Sequence, residues 1–336
     1  MQALEVLKIS SLSETVLKSL SQNRISTLFD FLDEEITKLS AITKLDISQV
    51  LAIRNEIFAK FSAPLANGSS LLVKSIIHKN KLNTGIQSLD TILDGGFPTG
   101  YITEICGLAD SGKTQLCLQI SINCVKQSDS NVLYVDTKGD FSAIRIQKML
   151  DAYGCSPKEM ALIMFKIKVV HIWTMEELID FFKHLKKETI AVEKLSMIII
   201  DSLPCLMFQH LGDDSKIGLT FLNTFVNYAR YLCKELNVGV ICVNIQTRWV
   251  DMDAADLDDE ADTTDREHLY IEKKSRCLGK YWSHIPALVI KLDKVHDSNS
   301  SDTEQCSKVD VMVVKSNSLT NFNLKCILNI CDLGVT

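Results

Sequence analysis

Gly107-Leu108-Ala109-Asp110-Ser111-Gly112-Lys113-Thr114 matches G-x-x-x-x-G-K-[ST] at every fixed position. Upstream, Tyr101-Ile102-Thr103-Glu104-Ile105-Cys106 alternates as a strand does. Downstream, Gln115-Leu116-Cys117-Leu118-Gln119-Ile120 carries apolar residues at helical spacing. Strand, loop and helix in that order form the setting in which this motif cradles phosphate. The glycines let successive backbone N–H groups turn inward, and the helix start adds partial positive charge. Lys113 is placed to reach the β- and γ-phosphates, and the Thr114 hydroxyl to hold Mg²⁺. The stretch Gly107–Gln115 is therefore expected to bind a nucleoside triphosphate.

Outward from the loop, the pattern alternates. Asn131-Val132-Leu133-Tyr134-Val135-Asp136, Lys168-Val169-Val170-His171-Ile172, Met197-Ile198-Ile199-Ile200-Asp201 and Val238-Gly239-Val240-Ile241-Cys242-Val243-Asn244 read as strands. Helical patterns near 113–126, 141–153, 175–190 and 217–236 separate them. Strands alternating with helices of this length predict an α/β domain with a mostly parallel twisted sheet covered on both faces. Three further strands, near 286–293, 309–315 and 323–330, predict an antiparallel close to the chain, the last two as a hairpin at the sheet edge. Asp201 ends an apolar run and so falls at the carboxyl edge of a buried strand, where such sheets bind ligands. With Thr114 it forms the candidate metal pair.

Residues 1–62 carry apolar positions three and four apart in short runs and read as a small all-helical domain. Residues 63–80 follow as a linker, opening on the small-residue stretch Ser62 to Ser70, and the α/β domain occupies 81–336. The composition, 46% hydrophobic and 23% charged, is that of a globular protein, and the net charge of −6 argues against a general polyanion binder. The eleven cysteines include no C-x-x-C pair and several sit in apolar helical patterns, so buried reduced thiols are expected. No window reaches the length of a membrane span, so no membrane association is expected.

Lys81-Leu82-Asn83-Thr84-Gly85-Ile86-Gln87-Ser88-Leu89-Asp90, then Leu93-Asp94-Gly95-Gly96-Phe97 and Gly100, lead into the phosphate loop. With Leu133–Thr137 and Ile198–Ser202, this resembles the core of a RecA-family recombinase over nearly the whole chain. The helical domain ahead of the core is similar to the eukaryotic pattern. Phe61-Ser62-Ala63, Ser283 with Pro286, and Lys315-Ser316 resemble the D-type paralogue group. The resemblance implies ATP and Mg²⁺ as cofactors and a nuclear role in homologous-recombination DNA repair. It also implies a heteromeric complex with other recombinase paralogues, single-stranded or branched DNA being met through that complex. Arg145 matches a family position lying against the nucleotide base, and Lys315 one that reaches a neighbour's ATP.

Departures from the family pattern qualify the chemistry. Active members carry, two residues after the Asp136 position, a Glu that orients the attacking water; here Lys138 stands in Asp136-Thr137-Lys138-Gly139-Asp140. An ammonium has three donors and no acceptor, so it cannot take a proton from water. Two dispositions are open, an ammonium beside the γ-phosphate or one turned to solvent. The family's Asn-Gln pair is here Asn244-Ile245, with Gln246 one residue late and so on the other face of a continuing strand. ATP turnover is therefore expected to be slow, with no catalytic residue assigned.

The two segments that hold DNA in the family correspond to about 203–216 and 246–280. The first carries Lys216 against Asp213 and Asp214. The second opens on nine carboxylates between Asp251 and Glu267 against Arg266. Such density repels phosphate, and 250–268 is expected to be a disordered acidic loop. Lys273, Lys274, Arg276 and Lys280 beside Tyr281 and Trp282 either touch DNA or pack and solvate as ordinary residues. Phe61-Ser62-Ala63-Pro64 departs from the Phe-x-x-Ala by which members dock on the next subunit, which argues against long self-polymers. Two readings stand: an ATP-gated scaffold subunit, or a DNA-dependent ATPase that itself exchanges strands.

Overall fold

The structure, a computed structural model, describes residues 12–61, 66–77, 81–210, 216–250, 272–295, 306–317 and 324–336. The chain divides into two compact units, Met1–Val73 and Lys74–Thr336.

In the first unit four helices are set by local signals. Ser13 caps α1 (Glu14–Gln22), and Thr27 with Asp30 forms a reciprocal capping box on α2 (Leu28–Asp33). The helices α3 (Ile36–Thr43) and α4 (Ile47–Phe61) complete a core of Val16, Leu20, Ile25, Phe31, Leu39, Val50, Ile53 and Ile57. Arg54 ties α4 to α2 by donating to the carbonyls of Phe31 and Glu34. The linker region holds a further helix, α5 (Gly68–Ile77). Asn67 starts it, its side chain accepting from the Ser69 amide at 3.0 Å, and the apolar run beyond it continues as helix where small residues alone suggest coil. Residues 62–65, and with them most of the Phe61–Pro64 signature, lie outside the described residues.

The second unit opens with a two-stranded ribbon, β1 (Lys81–Leu82) and β2 (Phe97–Pro98), around α6 (Gln87–Ile92). The alternation then follows: β3 (Ile102–Gly107), α7 (Lys113–Gln127), β4 (Asn131–Asp136), α8 (Ala143–Ala152), α9 (Pro157–Lys166), β5 (Ile167–His171) and α10 (Met175–Lys186). Next come β6 (Leu195–Asp201), α11 (Leu203–Met207), α12 (Lys216–Leu236), β7 (Gly239–Val250), β8 (Glu272–Arg276) and α13 (Gly279–Ser283). The strands β9 (Leu288–Lys294), β10 (Cys306–Ser316), β11 (Lys325–Cys331) and β12 (Gly334–Val335) close the chain. The sheet order is β12-β11-β10-β9-β3-β7-β6-β4-β5, with β8 paired to β7. From β9 to β5 neighbours run parallel; β9 to β12 run antiparallel, as the hairpin signals predict.

The strand period of two assigns each side chain to a face. Val132, Tyr134, Met197, Ile199, Ile241 and Val243 pack on the face of α7. Leu133, Val135, Ile198, Ile200, Val240 and Cys242 pack on the opposite face with α10 and α12. Both faces are apolar, as a parallel sheet covered by helices requires. No helix among the described residues is long and apolar enough to cross a membrane.

Three further features depart from expectation. Helix α9 lies where the periodicity predicts no element, although Ser156 and Glu159 form a capping box with Pro157 at its first position. Cys306 and Cys331 form a disulfide, where reduced thiols were expected throughout. They are directly opposed across the β10–β11 pair with Cα atoms 4.3 Å apart, a placement only strand register reveals. The other nine cysteines are free thiols, and burial pushes those of Cys106 and Cys233 up to about 12. Finally β7 does not stop at Asn244 but runs on as a ribbon with β8. The acidic segment expected to be disordered lies outside the described residues, apart from Val250.

Candidate nucleotide-binding site

Gly107 ends β3 between β7 and β9, opposite Ile245 and Leu292. A Cβ there would lie 2.4 Å from the Leu292 carbonyl oxygen and 2.5 Å from Ser111 Oγ, so only glycine fits. Gly107→Ala should lower stability by about 2 kcal/mol through this overpacking, read as a thermal-melt shift. An unchanged melting temperature would contradict the tight turn. Beyond it, Asp110 at φ 59 and Gly112 at φ 82 adopt left-handed conformations that curl the loop. No side chain caps α7, leaving its first-turn amides directed at the loop's concave side.

Lys113 folds back over the loop, donating to the Leu108 carbonyl and to Ser111 Oγ at 3.1 Å. Burial lowers its pKa, with the Asp201 carboxylate opposing. Asp110 is ion-paired with Lys294 at 2.6 Å at the exposed rim. Leu108 and Ala109 contribute backbone to the loop between them.

Asp201 lies on the same face as Met197 and Ile199, which is the face of α7. Thr114 Oγ1 donates to Asp201 Oδ2 at 2.6 Å, and Tyr134 Oη donates to the same oxygen at 2.9 Å. Burial, then the Asp201 charge, keeps the Tyr134 phenol far above its usual value, so it stays a donor. Asp201 Oδ1 is buried and accepts no well-formed hydrogen bond. That oxygen, with the lone pairs of Thr114 Oγ1, is a hard-oxygen donor set of the kind that suits Mg²⁺, which would have to displace the Lys138 ammonium to reach it. Lys138 stands at the same oxygen: its Nζ is 3.2 Å from Asp201 Oδ1 and 3.0 Å from Asp140 Oδ2. Of the two dispositions the sequence leaves open, the ammonium is not turned to solvent. Burial disfavours its charge, but the carboxylates of Asp201 and Asp140 outweigh it and hold the lysine above its ordinary value.

The loop that delivers Lys138 is built on Asp136. Its carboxylate accepts from the amides of Lys138, Gly139, Asp140 and Phe141 at 2.9–3.3 Å. Burial raises the Asp136 pKa, yet these amides together hold it below the ordinary range. Thr137 N donates to the Asp201 carbonyl, and Thr137 Oγ1 exchanges hydrogen bonds with the Ser202 backbone at 2.7 and 2.9 Å.

Arg145 takes a different set of partners from a nucleotide base. It donates to Gln115 Oε1 at 2.8 Å, to the Cys331 carbonyl at 2.6 Å, and to the Asp332 carbonyl. It therefore clamps the β11–β12 turn to α7. Such bonds lie in the guanidinium plane and leave its flat faces for stacking, so Arg145 stays a candidate beside the base. Lys315 donates to the Ser283 carbonyl at 3.1 Å.

On the opposite face lies a cluster that motif reading misses. Glu104, fully buried, accepts from Asn244 Nδ2 at 2.8 Å and pairs with Arg276 Nη1 at 3.0 Å. Strand parity is the signal that could have found it, because Glu104 shares a face with Ile102 and Asn244 with Cys242. The unbroken β7 also keeps Gln246 on the Asn244 face and leaves Ile245 on the face of α7. Trp282 is buried, as the packed reading has it, whereas Arg276 is ion-paired with Glu104 rather than simply solvated. Of the segment 203–216, expected to correspond to a DNA-holding loop of the family, Leu203–Met207 form α11 and Phe208–His210 a 3₁₀ turn; residues 211–215 lie outside the described residues.

Comparison with known proteins gives a consistent picture. A family model described as Rad51 matches residues 75–264. The chain is 28% identical over 294 residues to DNA repair protein RAD51 homolog 4 of Bos taurus, covering 86% of this chain and 84% of that protein. It is 25% identical over 299 residues to DNA repair protein RAD51 homolog 2 of Homo sapiens, covering 83% and 77%. Among solved structures, the crystal structure of the RadB recombinase aligns with a TM-score of 0.56 at 20% identity, over 76% of this chain and 98% of that one, a likeness of fold.

Proposed function

Because the chain belongs to the Rad51 family, we propose that it is an ATP-holding subunit of a heteromeric assembly of recombinase paralogues serving homologous-recombination DNA repair in the nucleus. Gly107–Gln115 hold the triphosphate, Thr114 and Asp201 are the residues for Mg²⁺, and Arg145 lies toward the base. Bound Mg²⁺ supplies charge neutralisation to the phosphate oxygens. The chain's own residues position the phosphates and keep the Asp201 carboxylate aimed by way of Thr114 and Tyr134.

The observation that carries the reading is Lys138 ion-paired to Asp201, where a water-orienting carboxylate belongs. An ammonium in that place favours retaining the triphosphate and cannot orient a nucleophile. The strand parity that presents Ile245 rather than a glutamine supports slow turnover. Contact with single-stranded or branched DNA is assigned to the assembly, since the cation nearest the nucleotide edge on β8, Arg276, is committed to Glu104. The names of the similar proteins, which describe DNA repair, support the setting.

Co-expression with other recombinase paralogues tests this. The expected result is a complex of defined mass that retains nucleoside triphosphate after purification. A monomer that releases its nucleotide would overturn it. A second reading, a DNA-dependent ATPase that performs strand exchange, is favoured by the intact Lys113, Thr114 and Asp201, to which a neighbouring subunit could add a carboxylate.

A further inference from the structure

The geometry points to Lys138 as a built-in counter-ion at the metal position, one that makes nucleotide binding by this chain largely independent of divalent cation. This rests on the nucleotide reading of the phosphate loop and adds to it.

Two hydroxyls already occupy Asp201 Oδ2, those of Thr114 and Tyr134 at 2.6 and 2.9 Å. Oδ1 is therefore the oxygen that Asp201 can offer to a cation, and it is buried. The Lys138 ammonium stands 3.2 Å from it. Nor is this lysine a loose surface side chain fallen inward. Its own amide and the three that follow are bound by the Asp136 carboxylate. The residue before it is locked to the Asp201 and Ser202 backbone, and its ammonium is shared with Asp140 at 3.0 Å. The backbone thus delivers the charge to one place.

An external Mg²⁺ entering here must shed water and find near-octahedral oxygens at about 2.0–2.1 Å. It must also displace a cation that is tethered to the chain and so acts at high effective concentration. The ammonium has three donors, enough to span Asp201, Asp140 and one phosphate oxygen. It offers one positive charge where the metal offers two, sufficient to hold a triphosphate beside Lys113 but with none of the metal's Lewis acidity.

The test is binding of a fluorescent ATP analogue to the full-length chain, with Mg²⁺ and with EDTA, for wild type, Lys138→Met, Lys138→Arg and Lys113→Ala. Wild-type affinity in EDTA should stay within about threefold of its value in Mg²⁺, a small fraction of the binding free energy. Lys138→Met should bind at least about tenfold more weakly in EDTA than in Mg²⁺, whereas Lys138→Arg, which keeps the charge, should follow wild type. Loss of wild-type binding in EDTA by tenfold or more overturns the inference whether or not the variants fold. Strong Mg²⁺-dependent binding that Lys113→Ala abolishes leaves the nucleotide reading standing and sinks only the counter-ion. Absence of binding in both buffers, or binding indifferent to Lys113→Ala, overturns both.

Discussion

Lys113→Ala is expected to weaken ATP binding at least a hundredfold, about 2.7 kcal/mol, while leaving the melting temperature of the nucleotide-free protein unchanged or slightly raised. The two effects separate because of where the ammonium rests. Lys113 is only 9% exposed, and its contacts are the Leu108 carbonyl and Ser111 Oγ, neutral partners within its own loop. Burial lowers its pKa, which means the folded protein bears a cost for keeping the charge there without a phosphate. Alanine relieves that cost and is the better helix former at the head of α7. What is lost is the charge-assisted contact to the phosphates, and titration calorimetry beside a thermal melt reads both quantities. A large fall in stability with affinity intact would mean that Lys113 is a structural residue.

Arg276→Met is expected to destabilise the core unit by about 3 kcal/mol, since it strands the fully buried Glu104 carboxylate. Breaking a buried pair costs about 3–5 kcal/mol, and the lower end applies because the Arg276 side chain is partly exposed, which screens the pair. For a unit of this size the fall in melting temperature is on the order of 8 °C. Combining Arg276→Met with Glu104→Gln should recover most of the loss, because the charge left unpaired is then gone.

The pH dependence of that variant has a definite sign. Burial holds Glu104 above the ordinary glutamate value, while Arg276 and then Asn244 pull it down. For a carboxyl raised on folding, the associated stability is greatest below its unfolded pKa and is lost as pH rises through the folded one. Removing Arg276 deletes the largest lowering influence and raises the folded value further. The cost of Arg276→Met should therefore be smaller at pH 5 than at pH 8. Equal costs at both would show that Glu104 carries no buried charge.

Much of the site was legible before any coordinates. The phosphate loop, its strand and helix, and Asp201 at the end of an apolar strand follow from motif and period, and the structure brings Thr114 and Asp201 into direct contact. What stayed hidden depends on register and on loop direction. Lys138 could be placed only relative to Asp136, because its aim is set by four amides that turn onto that buried carboxylate. The partnership of Glu104 with Arg276 spans 172 residues and requires β7 to continue past Asn244 and pair with β8. The Cys306–Cys331 bond likewise needs the β10–β11 register. The hold of Arg145 on the β11–β12 turn depends on the C-terminal strands lying beside α7, a contact across more than 180 residues of chain that no local pattern encodes. Helix α9 is a different case, since its start is written locally in the capping box of Ser156 and Glu159.

Phosphate release by the purified chain, with single-stranded DNA and Mg²⁺ present, tests most directly whether this site holds its nucleotide without consuming it. The account predicts a rate no higher than that of the Lys113→Ala variant measured beside it. A clear wild-type rate that collapses in Lys113→Ala would contradict it.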